Sequence, residues 1–357
     1  MEHIAHRPPP IKATGPVQWI QTHLLSSRLN IAISLLMLVF LGYCLPKALD
    51  WLIFSAVFSG SRDLCTPDGA CWLPVIEYFD YYVYGPYPDA AYWRINLGFF
   101  LGVSTFGLLF SEKIPQKLLM GYIALLPVLL WELFKGGLFL PEMSPSRFGG
   151  FMLTFFLGAI SMCLSLPVAI VLALGRQAKL PIIRWLCTAY IEIVRSVPLL
   201  TFLFMASLMA QLFFPQGFEV DKLFRVLVVM IFVSSAYKAE IIRGGLQAIP
   251  PSQVEAAYAL GAGYWTAMLH VLLPQALRNS VPALITNFIG VFKETTLVMI
   301  VGLLELIGVV KAISEVPEWL GYEIEGYLFV SMIFFIFCFT IAQYGKTLEK
   351  RIARARR

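Results

Sequence analysis

"EAAYALGAGYWTAMLHVLLP", residues 255–274, separates two long apolar runs in a chain of 357 residues. It is rich in small residues and glycine, with an acid at its start and a proline at its end. Between lipid-compatible runs, a stretch of this kind belongs at a membrane surface. Upstream, Pro250 and Pro251 end the preceding chain, and Ser252 with Glu255 matches Ser-x-x-Glu, the capping box of a helix start. Residues 253–260 leave room for about two turns before Gly261, which permits a left-handed stop. A second short run closes at Pro274. The expectation is a short surface helix lying across the direction of the spans, kept thin by Ala256, Ala257 and Ala259.

The composition agrees. Hydrophobic residues make up 59% of the chain and charged ones 14%, against about 25% charged in soluble domains. The reading is an all-α, polytopic membrane protein. Runs able to span, at about 20 apolar residues each, are 29–49, 93–110, 118–134, 148–174, 185–213, 223–242, 281–301 and 327–344. Pro46, Lys47 and Asp50 suggest that the first ends there, with 51–58 along the interface; the alternative is one long tilted helix to Phe58. The net charge of +5 is no nucleic-acid signature, because the basic residues gather in short connections and in the tail "KRIARARR", where anionic lipid is the partner. The start lacks the pattern of a signal peptide and reads as a retained cytosolic arm. With that arm inside, Lys and Arg concentrate on the inner side and both termini are cytosolic. Lys238 counts among the inner-side cations in this scheme. The same choice puts "CTPDGAC" outside, where Cys65 and Cys71 flank a Pro-Asp-Gly turn and can form a disulfide. The expected organisation is an arm (1–28), an accessory transmembrane unit (29–142), a functional core (143–345, with the surface segment at 250–274) and a basic tail (346–357).

No catalytic constellation, metal-ligand spacing or cofactor motif stands out, so the chain reads as a non-enzyme without a cofactor. Charges inside apolar runs are costly and mark function. Lys293 and Glu294 fall in the seventh run beside Thr295 and Thr296, and Glu192 with Arg195 reads as an interfacial ion pair. Ser161, Ser165, Ser234, Ser235, Pro167 and Pro198 fit a polar path through the core. "GFFLG" (98–102) has helix-packing spacing. The tyrosine-dense stretch 77–93 reads as an interfacial aromatic belt or a docking surface. Glu305, Glu315, Glu318, Glu323 and Glu325 make the last outer connection acidic, which points to something landing there.

Glu255-Ala256-Ala257, three residues, Gly261, nine residues, and Val271-Leu272-Leu273-Pro274 together resemble the EAA signature of ABC-importer permeases. "YIEIVRSVPLLTFLF", "SSAYKAEIIRGGLQAIPPSQVEAAYALG", "LPQALRNSVPALITNFIGVFKETTLV" and "YGKTLEKRI" extend the resemblance over 149–351, toward the polar amino-acid branch. The three extra spans and the long outer loop are most similar to AapM-type permeases of general L-amino acid importers. The resemblance implies a type I permease core of five spans in a bacterial plasma membrane. It also implies two cytosolic ATPase subunits, a second homologous permease, a periplasmic amino-acid-binding protein, and alternating access. Ser252, Glu255, Ala256, Ala257, Gly261, Leu273 and Pro274 would couple to the ATPase. Glu294, Thr295 and Thr296 would hold the amino-acid solute with Ser161 and Ser165 nearby, and Lys293 would balance Glu294 or meet the solute carboxylate. Where many relatives have Lys-Asp-Thr-Ser, this chain has Lys293-Glu294-Thr295-Thr296. The alternative is an ion-gradient-driven transporter, for which internal repeat symmetry is expected.

Overall fold

The computed structural model describes residues 15–110, 115–209, 212, 215 and 220–354. The arm up to residue 14, the connection 111–114 and the last three residues of the tail lie outside the described residues. The described chain divides after Ile76 into two compact units.

In the first unit, α1 (Arg28–Leu49) starts at Ser27, whose hydroxyl accepts the Asn30 N–H at 3.1 Å. The helix does not stop at Pro46. It runs through a wide π-turn, Asp50–Phe54, giving one apolar stretch from Arg28 to Phe54. The longer of the two expected forms is therefore the closer one, although it ends before Phe58. In an apolar setting a broken helix has no water to satisfy its backbone, so a change of hydrogen-bond pattern beyond the proline is favoured over a break. Beyond it, Cys65 and Cys71 are joined by a disulfide, with Cα atoms 5.4 Å apart. Backbone hydrogen bonds from Val57 to Ala70, Ala70 to Trp51 and Trp72 to Val57 hold the loop as well.

In the second unit the main helices are α2 (Tyr92–Phe110), α3 (Gln116–Phe134), α4 (Gly150–Arg176), α5 (Pro181–Ser196), α6 (Leu199–Phe204), α7 (Lys222–Gln247), α8 (Pro251–Ala259), α9 (Leu273–Glu294), α10 (Leu306–Ser314) and α11 (Glu323–Arg354). With α1, a helix stands at each of the eight expected runs. Among the described residues, four stretches are long and apolar enough to cross a membrane: Arg28–Phe54, Gly150–Arg176, Tyr264–Val301 and Glu323–Arg351. The fifth run is bent. α5 and the stretch Leu199–Met209 meet at 99°, because Pro198 follows Val197 and forces the residue before it into extended backbone (Val197 ψ 132°). α7 is 26 residues long but carries Lys222, Arg225, Lys238, Glu240 and Arg243, so it reads as a span by length rather than by composition.

α4 is the axis of this unit. α7 packs along it, α9 packs on α7, and α11 on α9; α2 packs on α3 and α3 on α4. One apolar cluster joins Ile95, Leu130, Phe134, Phe156, Leu157, Val226, Leu227 and Val291. A second joins Ala169, Ala173, Ile191, Ala239, Ile242, Met268 and Ala276. Between them, a belt of polar side chains crosses the α4–α7 contact at Ser161, Ser165, Ser234, Ser235 and Lys238, each at most 3% exposed. Gly98 and Gly102 of α2 do not meet a helix backbone. A Cβ at either would strike a ring, that of Phe134 or Phe155. Aromatic rings seat into the groove those glycines leave.

The tyrosine-rich stretch is partly core. Tyr82 and Tyr87 are buried, and the Tyr87 hydroxyl donates to the Phe134 carbonyl at 2.8 Å. Arg94, which none of the expected patterns singles out, is 2% exposed and donates to the carbonyls of Leu133, Glu132 and Pro141. The Glu132 carboxylate in turn accepts the N–H groups of Leu138, Phe139 and Leu140. Together they fasten the turn after α3.

Candidate functional site

Residues 255–274 lie in the connection between α7 and α9 and run into the start of α9. Pro250 precedes α8 with ψ 139°, and Pro251 is its first helical residue. Ser252 thus falls one position inside the helix and makes no cap hydrogen bond, so the expected Ser252–Glu255 capping box is not formed. Proline at the first position explains this: it has no N–H to satisfy and its φ is already helical. The stop is where it was expected. Gly261 has φ +78°, its N–H donates to the Tyr258 carbonyl at 2.9 Å, and Ala262 N–H reaches back to Ala257 at 3.1 Å. Glu255 and Ala256 are exposed, Ala257 is buried, and Tyr258, Leu260 and Trp265 leave apolar surface uncovered, with Leu260 at 89%.

Pro274 does not close this segment. Tyr264–Thr266 runs through a π-turn, Ala267–Leu272, directly into α9, giving one helical stretch from Tyr264 to Val301. The wide turn just before Leu273 and Pro274 accommodates the ring and the missing N–H of the proline. Further along, Gly245 of α7 lets α9 approach closely. A Cβ there would collide with the Ser280 hydroxyl and the Ala276 carbonyl, and Ser280 donates to the Ile241 carbonyl at 3.2 Å.

In the polar belt, Lys238 Nζ donates to Ser165 Oγ at 2.6 Å and to Ser234 Oγ at 2.5 Å. Lys238 is therefore not an inner-surface cation; it lies inside the helix pack at 3% exposure. Glu294, at the end of α9, is half-buried and within electrostatic reach of Lys238, whereas Lys293 is exposed. Thr295 is fully buried, and its methyl faces Gly158 of α4. The Thr295 hydroxyl donates to the Phe292 carbonyl and that of Thr296 to Lys293, so neither proton is left over for a solute. Ser161 Oγ is buried with no partner. The expected solute residues thus divide: Ser161 and Ser165 lie on α4, Thr295 meets α4 at Gly158, Glu294 is within electrostatic reach of both Lys238 and Lys293, and Lys293 itself is exposed.

Residues 165–354, more than half of the chain, match the family of binding-protein-dependent transport system inner membrane components. The chain belongs to that family. Over 99% of its length it is 39% identical to the inner membrane amino-acid ABC transporter permease protein YhdY of Escherichia coli K12, covering 98% of that protein. It is 32% identical over its full length to the glutamate/glutamine/aspartate/asparagine transport system permease protein BztC of Rhodobacter capsulatus, again covering 98%. Among solved structures it resembles an amino acid ABC transporter crystallised with histidines, with TM-score 0.51 and 30% identity, over 56% of this chain and 91% of that one.

A second charged group in this transport component was legible only in part. Glu240 of α7 gathers three arginines. Arg176 Nη1 is 2.9 Å away, Arg243 Nε donates at 2.9 Å, and Arg195 Nη1 stands at 3.9 Å. Glu192 pairs with Arg176 at 2.8 Å, so the expected Glu192–Arg195 pair is replaced by a network that ties α4, α5 and α7 together. The acidic connection after Thr295 also divides. Glu305 is fully buried and caps α10 by accepting the N–H groups of Ile307 and Gly308, and Glu325 is 4% exposed. Those two carboxylates belong to the fold rather than to a landing surface.

Proposed function

We propose that the protein is the permease of an ATP-driven, binding-protein-dependent importer of amino acids. The observation that carries the reading is α8: a two-turn helix, exposed on one face, stopped by a left-handed glycine and placed between two long helices. Its exposed Glu255 and Ala256, with Leu260 beside them, form the kind of surface a nucleotide-hydrolysing partner can grip. The amino-acid assignment is supported by the names of the relatives that align from end to end.

On this reading two cytosolic ATPases sit against α8 and its counterpart on a second, homologous permease, and a solute-binding protein docks on the far side. Both termini are cytosolic. Residues 29–142 form the accessory unit and 143–345 the transporting core. ATP binding draws the ATPases together, α8 moves with them, and the helices around the polar belt open alternately to either side. The solute ammonium is met by Glu294, in the half-buried layer beside Thr295.

The test is uptake of radiolabelled amino acids into proteoliposomes holding the permease with its ATPases. Uptake should require ATP inside and loaded binding protein outside, and should survive collapse of the ion gradients. Uptake that ignores ATP and stops with the ion gradient overturns the reading.

A further inference from the structure

We propose that Lys238, with Ser161, forms a carboxylate subsite inside the helix pack, so that this permease recognises the acid end of its solute through α4 and α7. The proposal rests on the amino-acid reading and adds to it Lys238, a buried cation outside the expected solute residues, in the place where the exposed Lys293 was expected to meet the carboxylate.

A lysine at 3% exposure in a spanning helix is costly unless its charge is compensated. Among the described residues no carboxylate lies within salt-bridge distance of Lys238; its partners are the hydroxyls of Ser165 and Ser234. An ammonium carries three donors, and those two bonds use two of them. Side chains on a helix lean toward its N-terminus, which carries Nζ from the level of Lys238 back to that of Ser234.

The partner face has a matching deficit. Gly158, Ser161 and Ser165 lie on one face of α4, at i, i+3 and i+7. Gly158 faces Phe292 of α9 and Thr295 just beyond it, while Ser165 holds Lys238. Ser161 lies between these two crossings, 0% exposed, with no partner for its hydroxyl. Ser161 is one helical turn before Ser165, which holds the ammonium, so the belt offers two further donors, the third N–H of Lys238 and the Ser161 hydroxyl. A carboxylate has two oxygens to accept them.

The opposite face supplies acceptors. Asn287 and Glu294 are seven residues apart on one face of α9. The side-chain oxygen of Asn287 is buried and unpartnered, and Glu294 is in electrostatic reach of Lys238. Donors on α4 and α7, with Glu294 of α9 in electrostatic reach of Lys238, match a zwitterion: the acid end to Lys238 and Ser161, the ammonium to Glu294.

The experiment uses the complete permease–ATPase complex in nanodiscs without binding protein. Direct binding is measured for the twenty L-amino acids and for the α-carboxamide of the best binder. The native complex should prefer the free acid to its amide by about tenfold or more, the range of a charge-assisted hydrogen bond. Lys238→Met should abolish that preference by weakening the free acid about tenfold more than the amide, and Ser161→Ala should reduce it. Native discrimination in Lys238→Met overturns the subsite, as does equal loss of acid and amide binding, which marks a merely structural lysine. If Lys238→Met does not yield folded complex, Ser161→Ala decides, since its hydroxyl has no partner to lose; unchanged discrimination there is equally fatal. A native complex that binds none of the twenty shows instead that the amino-acid reading itself fails, and the subsite falls with it.

Discussion

Arg176 Nη1 lies 2.9 Å from Glu240 Oε2, joining the last turn of α4 to α7. Glu240 also takes Arg243, and Arg195 stands nearby, so one carboxylate balances several guanidinium groups at a point where three helices meet. The side chains are about a quarter exposed, which discounts the attraction, while removal of the carboxylate leaves the arginines facing one another. Glu240→Ala should destabilise the purified permease by about 1–3 kcal/mol, below the range for fully buried pairs. Glu192→Ala, which removes one contact with Arg176, should cost less. Thermal unfolding in detergent, compared between the two variants, checks the order; equal stability of Glu240→Ala and the native protein would rule out the hub role.

Gly261 should tolerate substitution according to backbone preference alone. Its φ of +78° is left-handed, and a Cβ placed there meets nothing within 4 Å. Non-glycine residues in that region cost about 1–2 kcal/mol, asparagine less, and β-branched residues most. Uptake and binding-protein-stimulated ATP hydrolysis should therefore decline in the order Asn, Ala, Val at this position, with folded permease recovered in every case. Three variants that all hydrolyse and transport like the native complex would show that the α8 stop does not couple the two subunits.

Glu305 gives a pH dependence with a definite sign. Burial pushes its carboxyl up to about 7, against the two N–H groups of α10 that favour the ionised form. The folded state thus holds the proton more tightly than the unfolded chain. Its stabilising contribution is complete below about 4.5, the ordinary value for a glutamate, and is lost as pH rises through about 7. Glu305→Gln keeps a side-chain acceptor and removes the titration. Its unfolding temperature should change less than the native one between pH 5 and pH 8. Parallel profiles for the two proteins would assign the titration elsewhere.

Helix at each of the eight runs is legible because apolar runs of membrane length have few alternatives, though not the 99° bend in the fifth, and the Gly261 stop is legible because its spacing admits a left-handed residue. Lys238 is harder to read. It lies inside the run 223–242, yet its burial depends on Ser165, 73 residues earlier in the chain, and local pattern carries no trace of that contact. Arg94 is hidden for the same reason, since its partners are carbonyls of a turn 38 to 47 residues away. Ser252 and Pro274 fail differently. Each matches a local rule, and each is overridden by a neighbour: Pro251 shifts the start of α8, and the π-turn at Ala267–Leu272 carries the helix through Pro274.

The sidedness of the permease should follow its basic residues. Arg176, Arg195 and Arg243 meet at one end of α4, α5 and α7, and the turn after Arg176 and the segment containing α8 leave from that same end. Short cytosolic connections carry the excess of Lys and Arg, so this end should face the cytosol and the disulfide loop the oxidising side. Cys44, Cys163, Cys187 and Cys338 are free thiols and would first be replaced by alanine. In that background a cysteine at Gln177 or at Lys350 should react with a membrane-impermeant maleimide only after the cells are opened. Asp68, between Cys65 and Cys71, needs the pair intact, so the label there is a short epitope rather than a thiol, and antibody should reach it in cells whose outer envelope alone has been permeabilised. The disulfide closes a short loop and should contribute about 2 kcal/mol, with the backbone bonds from Val57, Ala70 and Trp72 keeping the loop in place after reduction. Labelling of Gln177 in unopened cells would invert the assignment of this end and remove α8 from the side where the ATPases work; an Asp68 epitope reached only from the cytosol would overturn the side given to the disulfide loop.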